Sequence, residues 1–271
     1  MWDERTYDYG GARLAYLESG TGPETLLAFH GFGQHADVFR SLENTFAAQK
    51  YRIFSFSLFY HGSHWPYGVR PLEPAFLSDM MEAFLLYRQV GKFSIIAYSI
   101  GVKYALVIAN RQPDRIKNLV MIAPDGIRLN FWYRIATGTW LARRLFRLSV
   151  NQERIFHWIA TWGVKLKLIH ASTARFALSQ LGSVEKRKKV FDTWMVMRKL
   201  FINADLLAGS LNFQNVFVII FLGDRDKIIT EDHVQPLTRH LEKKKIILLP
   251  AGHHQLIEAA VAWLHENPDS M

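Results

Sequence analysis

Short runs of β-branched and aromatic residues, separated by turn residues, fill the first third of the chain. "YDYGGARLAYLES" alternates polar and apolar positions about Gly10-Gly11 and predicts an antiparallel hairpin, since paired glycines suit a two-residue hairpin turn. "TLLAFHG" and "YRIFSFSLFYHG" predict two further strands. Over residues 75–90, "AFLSDMMEAFLLYRQV" places apolar residues at helical spacing and predicts a helix that ends at Gly91. A strand "FSIIAYS", a helix "VKYALVIANRQ" stopped at Pro113 and a strand "NLVMIAP" follow. Alternation of this kind predicts a parallel sheet wrapped by helices.

After Pro124 the rhythm breaks. Residues 127–212 contain no convincing strand, only aromatic, basic, helix-like stretches such as "WYRIATGTWLARRLFRL" and "ERIFHWIATWGVKLKLI". The rhythm resumes with strand "VFVIIFLGDRD", helix "TEDHVQPLTRHL", strand "KKIILLPAGHH" and helix "QLIEAAVAWLHE". The expected fold class is therefore α/β: a core of residues 1–126 and 213–271, with a helical cap, 127–212, inserted between core strands.

Composition narrows the picture. At 271 residues and 49% hydrophobic, the chain can bury a full core in one large domain, or in one domain plus an inserted piece. It has no Cys, which excludes disulfides and thiolate metal sites. No stretch reaches the roughly 18 apolar residues of a membrane-spanning helix, and "MWDERTYDYG" is not built like a signal peptide. A cytoplasmic location is expected.

The net charge is +9, but its distribution matters more than its sum. Residues 127–212 hold 15 Lys and Arg against 4 Asp and Glu, while the rest of the chain is slightly acidic. Five of the eight Trp lie in the same segment. Amphipathic helices packed on a core account for such a mixture, with the cations simply solvated. The other reading is a basic face that meets an anionic membrane surface or an acidic group on a substrate, with Trp140, Trp158 and Trp162 against acyl chains. Nucleic acid is not the expected partner, because no recognition motif accompanies the charge.

The candidate chemistry begins at "IIAYSIGVKYAL", where Ser99 joins a strand to a helix between Ala97 and Gly101. A serine there is either a helix N-cap or the nucleophile of a strained strand-to-helix elbow. A nucleophile needs a base and a carboxylate to orient it, and in an α/β sheet these belong at the carboxyl ends of later strands. Asp226 follows "VFVIIFLGDR" and His253 follows "KKIILLPAG", in the order Ser, Asp, His. Backbone N–H groups for an oxyanion are expected from Ile100, after the serine, and from Phe32 in "HGFGQ".

With "HGFG", "FYHGSH", "AYSIG", "GDRD" and "AGHH" in this order, the sequence resembles the α/β-hydrolase fold superfamily in its capped form. The resemblance implies Ser99 as nucleophile, His253 as base, Asp226 as acid, and Phe32 and Ile100 as oxyanion donors. It selects Asp226 over Asp224 by the spacing from Gly223, and His253 over His254 because the family's histidine directly follows the glycine. His30 and His61 are expected to brace loops, and His35 and His64 to lie at the entrance or on the surface. Ala97 replaces the family's usual glycine, and Ser57 stands where many members have an aspartate. A serine nucleophile argues against the epoxide hydrolases and haloalkane dehalogenases of this fold, which attack through aspartate.

The expected function is a serine hydrolase that cleaves a carboxylic ester or related acyl bond through an acyl-enzyme, without metal or organic cofactor. The alternatives on the same triad are an acyltransferase, a thioesterase or a carbon–carbon bond hydrolase. A non-catalytic interaction protein is disfavoured by the intact triad. The expected substrate is a small molecule with an apolar acyl part, and the cap is expected to act as a lid that sets specificity.

Overall fold

A computed structural model describes residues 2–45, 47–129, 131–152, 154, 155, 158, 161, 162 and 181–270. Contacts divide the chain into two compact units, one of 1–66, 72–129 and 199–271, the other of 67–71 and 130–198. The chain thus returns to the first unit at Lys199 rather than at 213, and the helix Ala204–Phe213, expected in the insertion, belongs to the first unit.

In chain order the elements are β1 (Asp3–Tyr9), β2 (Ala12–Ser19), β3 (Glu24–Phe29), a 3₁₀ stretch (Ala36–Asn44), α1 (Ala47–Lys50), β4 (Tyr51–Phe56), α2 (Pro74–Tyr87), β5 (Phe93–Tyr98), α3 (Val102–Arg111) and β6 (Ile116–Ile122). The second unit contributes α4 (Phe131–Gly138), α5 (Trp140–Asn151) and α6 (Val184–Met197). The first then continues with α7 (Ala204–Phe213), β7 (Phe217–Gly223), α8 (Glu231–Thr238), β8 (Lys244–Leu249) and α9 (Leu256–Glu266).

Eight strands form one sheet in the order β1-β2-β4-β3-β5-β6-β7-β8. β1 and β2 are antiparallel, turning through Gly10 and Gly11 at φ 54° and 79°. β2 joins β4 antiparallel, and every later pairing is parallel. The inner parallel strands are almost wholly buried, as a sheet covered on both faces requires. After β3 the chain steps to one side to make β4, then crosses to the other to make β5. In an open α/β sheet the usual place for a site is at such a reversal, here the carboxyl ends of β3 and β5.

α2 docks through Leu77, Met80, Met81, Phe84 and Leu85, the 3–4 spacing of an apolar helix face. Phe84 sits edge-on to Tyr16, Phe54 and Phe56, with ring centroids 5.1, 5.3 and 5.0 Å away. The helix stops earlier than expected. Gln89 takes a left-handed φ of 56°, and the Val90 N–H turns back to the Leu85 carbonyl at 2.8 Å. The left-handed cap is thus Gln89, two residues before the expected Gly91.

Within the second unit, Val150, Phe191 and Met195 form a small core against which Val69, Phe146 and Trp194 pack. α5 begins at Thr139, whose hydroxyl accepts from the Ala142 N–H, and α6 at Ser183, whose hydroxyl accepts from the Lys186 N–H. Arg187 is buried and donates to three carbonyls, of Val150 at 3.1 Å, Leu181 at 2.9 Å and Gly182 at 3.1 Å.

Candidate active site

Ser99 follows the last residue of β5 and carries a φ of 51°, a left-handed backbone that a residue with a Cβ adopts only under constraint. An N-capping serine has an extended backbone and bonds its side chain to the next helical turn. Ser99 does neither: its hydroxyl lies 3.1 Å from His253 Nε2, and α3 has no side-chain cap bond. The Asp125 N–H holds the Ser99 carbonyl at 3.2 Å. Asp125 pairs in turn with Lys103, a buried lysine on α3, at 3.4 Å.

The elbow needs a glycine at 101. A methyl group there would stand 2.4 Å from the His30 carbonyl oxygen and 2.5 Å from that of Phe29, both main-chain atoms at the end of β3. Position 97 is different. Ala97 is a buried β5 residue in register with Phe29 and Met121, and its methyl group is accommodated where glycine is usual.

His253 opens a single 3₁₀ turn between β8 and α9. Its Nδ1 lies 2.7 Å from Asp226 Oδ2. The other carboxylate oxygen, Oδ1, accepts the N–H groups of Ile228 and Ile229 at 2.7 and 3.1 Å. The Asp226 side chain is 0% exposed and that of His253 10%. Burial pushes the Asp226 carboxyl up, but the bond from His253, its charge and the two amides outweigh burial and hold it below the usual carboxylate range. Asp224, two residues earlier, is exposed beside Arg225, and His254 is exposed edge-on to the His253 ring. The structure therefore brings together Ser99, His253 and Asp226, and leaves Asp224 and His254 at the surface.

The expected bracing histidines are buried in loops. His30 Nε2 accepts the Leu58 N–H at 3.0 Å, so its Nδ1–H donates to the Gly31 carbonyl at 2.7 Å. His61 Nδ1 lies 3.2 Å from the Phe59 carbonyl. His35 Nδ1 reaches the His61 carbonyl at 2.8 Å, and His64 is exposed. At Ser57 the side-chain oxygen accepts the Ala36 N–H at 3.4 Å, and the main-chain carbonyl accepts the Ser63 hydroxyl at 2.5 Å, whose oxygen in turn accepts the Ala15 N–H at 2.8 Å. Phe32 is exposed in the loop after β3, its ring edge-on to His61, and the neighbouring Gly31 N–H is taken by the Gln34 side chain at 3.0 Å. Ile100 follows the elbow serine.

One neighbour of the site carries no signal in the sequence. Tyr98, the last residue of β5, donates its hydroxyl to the His253 carbonyl at 2.6 Å. Burial first, and then the nearby Asp226 charge, push its phenol well above the ordinary value. Among the described residues no group of three or more His, Asp and Glu is arranged to hold a metal ion.

The chain belongs to the alpha/beta hydrolase fold family, whose model matches residues 24–260. Among curated proteins it is 22% identical over 217 residues to a putative esterase/lipase 2 of Mycoplasma pneumoniae, covering 79% of this chain and 75% of that one. It is 22% identical over 238 residues to the pimeloyl-[acyl-carrier protein] methyl ester esterase of Nitrosomonas europaea, covering 87% and 90%. Among solved structures, a hydrolase from Pseudomonas aeruginosa PA01 superposes with a TM-score of 0.69 at 18% identity, over 99% of this chain and 98% of that one.

Proposed function

We propose that the protein hydrolyses a carboxylic ester, or a related acyl bond, through an acyl-enzyme on Ser99. The family and the esterase names of both curated relatives make it an esterase/lipase-like hydrolase. The observation that carries the finer reading is the unbroken series of bonds from Ser99 Oγ to His253 Nε2, and from His253 Nδ1 to Asp226, at a serine with a left-handed backbone.

In this reading His253 takes the Ser99 proton as the hydroxyl oxygen attacks the acyl carbon, and the imidazolium is stabilised by Asp226. Asp226 remains ionised, consistent with a carboxyl held low by its neighbours. The N–H groups of Phe32 and Ile100 receive the developing oxyanion. His253 then gives its proton to the leaving alkoxide. Water enters, loses a proton to His253 and attacks the acyl-enzyme, and Ser99 leaves reprotonated with release of the acid. The reaction balances with the chain's own side chains and water.

On the substrate side we propose a small molecule with an apolar acyl part, in keeping with the aromatic and apolar residues between 127 and 212.

A fluorophosphonate probe tests the nucleophile. The wild type is expected to be labelled stoichiometrically, and folded Ser99→Ala to remain unlabelled. Labelling that persists in Ser99→Ala removes the assignment. A series of acyl esters of graded chain length, with Ser99→Ala as control, then measures the acyl preference.

A further inference from the structure

α5 is apolar on the wrong side. Its inward row is ordinary: Phe146 lies against the core of Val150, Phe191 and Met195, and Ser149 and Val150 are buried. The outward row is not. Trp140 is 67% exposed, Leu141 58%, Leu145 48% and Leu148 40%. At 100° per residue Leu141, Leu145 and Leu148 fall on one strip, with Trp140, Arg144 and Arg147 on the strip beside it. A surface helix of a globular domain normally turns polar side chains outward. Here the only charged residues of the helix are arginines, with no Asp or Glu from Trp140 to Asn151.

The arginines divide by role. Arg143 donates to the Thr137 and Gly138 carbonyls at 2.9 and 3.0 Å, so it caps the end of α4. The Arg144 guanidinium lies 5.6 Å from the Trp140 ring centre, and that of Arg147 5.6 Å from the Phe191 ring centre. Arg144 thus sits over an exposed indole, an arrangement suited to the boundary between acyl chains and headgroups, where long cationic side chains lie along apolar surface and extend their charge outward.

We infer that the outward face of α5 docks on an anionic membrane surface, with Trp140, Leu141, Leu145 and Leu148 at the acyl boundary and Arg144 and Arg147 on lipid phosphates. Charge complementarity commits the face to this occupant. The second unit carries 14 Lys and Arg against three Asp and Glu, whereas the rest of the chain is slightly acidic. A continuous anionic plane attracts Arg144 and Arg147 together, and the net charge of the unit favours its approach. A second copy of the chain does not, because a two-fold contact through α5 would set arginine against arginine. The docking goes beyond the ester chemistry and does not depend on it.

The experiment is co-sedimentation of the full chain with vesicles of phosphatidylcholine alone, or with about a third phosphatidylglycerol, at low salt and at about 1 M salt, where screening shortens to about 3 Å. Wild type and Ser99→Ala are both expected to bind the anionic vesicles at low salt and to leave them at high salt, so failure of the nucleophile assignment and failure of the docking are separable. Two variants act on the face independently, Arg144→Glu with Arg147→Glu, and Leu141→Ser with Leu145→Ser and Leu148→Ser. Each is expected to weaken partition at least about tenfold, with thermal melting and turnover of a small soluble ester confirming the fold. Lys92→Glu with Lys243→Glu, exposed cations of the first unit, makes the same change in net charge and is expected to bind like wild type. The inference is overturned by equal recovery on neutral and anionic vesicles, by no recovery on either, or by an equal loss in the Lys92 and Lys243 control. A dimer that dissociates on the α5 substitutions also overturns it.

Discussion

The Tyr98 hydroxyl donates to the main-chain carbonyl of His253 at 2.6 Å, tying the strand that ends at the elbow to the turn that carries the proposed base. The ring of Tyr98 also lies beside the imidazole, with centroids 5.4 Å apart. The same ring forbids a side chain at Gly31, where a Cβ would stand 2.6 Å from it. Tyr98 thus holds the backbone of His253 while Asp226 holds the ring, and on the proposed reaction it is a positioning residue.

Tyr98→Phe keeps the ring and removes the bond. The expected result is a roughly tenfold fall in kcat with KM little changed, since a positional slack of the base acts on the transition state. The stability loss is expected at about 1 kcal/mol, the net worth of one hydrogen bond. Steady-state kinetics and urea unfolding measure the two effects separately, and a fall in stability alone removes the positioning role.

Asp226→Asn and Asp224→Asn separate the two carboxylates of the β7 turn. The first is expected to lower kcat by about 10³ to 10⁴, because the amide no longer selects the imidazole tautomer or stabilises its cation. The second, on an exposed residue, is expected to change it by about twofold or less. His253→Ala and His254→Ala should divide in the same way.

The depressed Asp226 carboxyl also has a pH signature in stability. Its folded pKa lies below the unfolded value, so its charge contributes stability above the ordinary carboxylate range. That contribution is lost as the pH falls through the lower, folded value. The difference in melting temperature between wild type and Asp226→Asn is expected to shrink as the pH drops from about 6 to about 3. A difference independent of pH in that window means that the carboxylate is not held as described.

Gly101→Ala is expected to cost about 1–3 kcal/mol of stability, the range for overpacking, and to lower activity steeply by displacing the elbow. The obstacle is main chain on the neighbouring strand and cannot swing aside. Ala97→Gly, which only removes a methyl group, is expected to leave kcat within a few-fold of wild type. Thermal unfolding and ester turnover of the pair provide the comparison.

Phe84→Ala removes the ring at which Tyr16, Phe54 and Phe56 converge and is expected to cost about 3–5 kcal/mol. Urea unfolding measures the loss. Because α2 lies away from the elbow turn in sequence and contributes no group to it, turnover at low temperature is expected to survive.

Much of this architecture is legible in local pattern. Each parallel strand announces itself as a short apolar run bounded by turn residues, and the residues just beyond β5, β7 and β8 are those that the hydrogen bonds link. Pairings between distant segments are not legible, because period-two alternation fixes a strand's faces but not its neighbour; β2 against β4 is of this kind. Tyr98 escaped for the same reason, reading as one more aromatic in a buried strand while its partner lies 155 residues away. The end of α2 is not legible because glycine is the usual left-handed cap, and Gln89 takes that conformation instead. Helical periodicity carries no mark of the unit to which a helix belongs, so the sequence of α7 does not assign it to the first unit.

Arg187 gathers the carbonyls of Val150, at the last turn of α5, and of Leu181 and Gly182, before α6, around one guanidinium. The two junctions of the intervening stretch are thereby pinned side by side, and loop-closure entropy rises only slowly with the length spanned between fixed ends. One guanidinium therefore fixes both ends of the stretch, and exchange or lengthening of the sequence between them tests that clamp. Donor segments spliced at these two junctions should keep the helices on either side in place, provided that the arginine is retained.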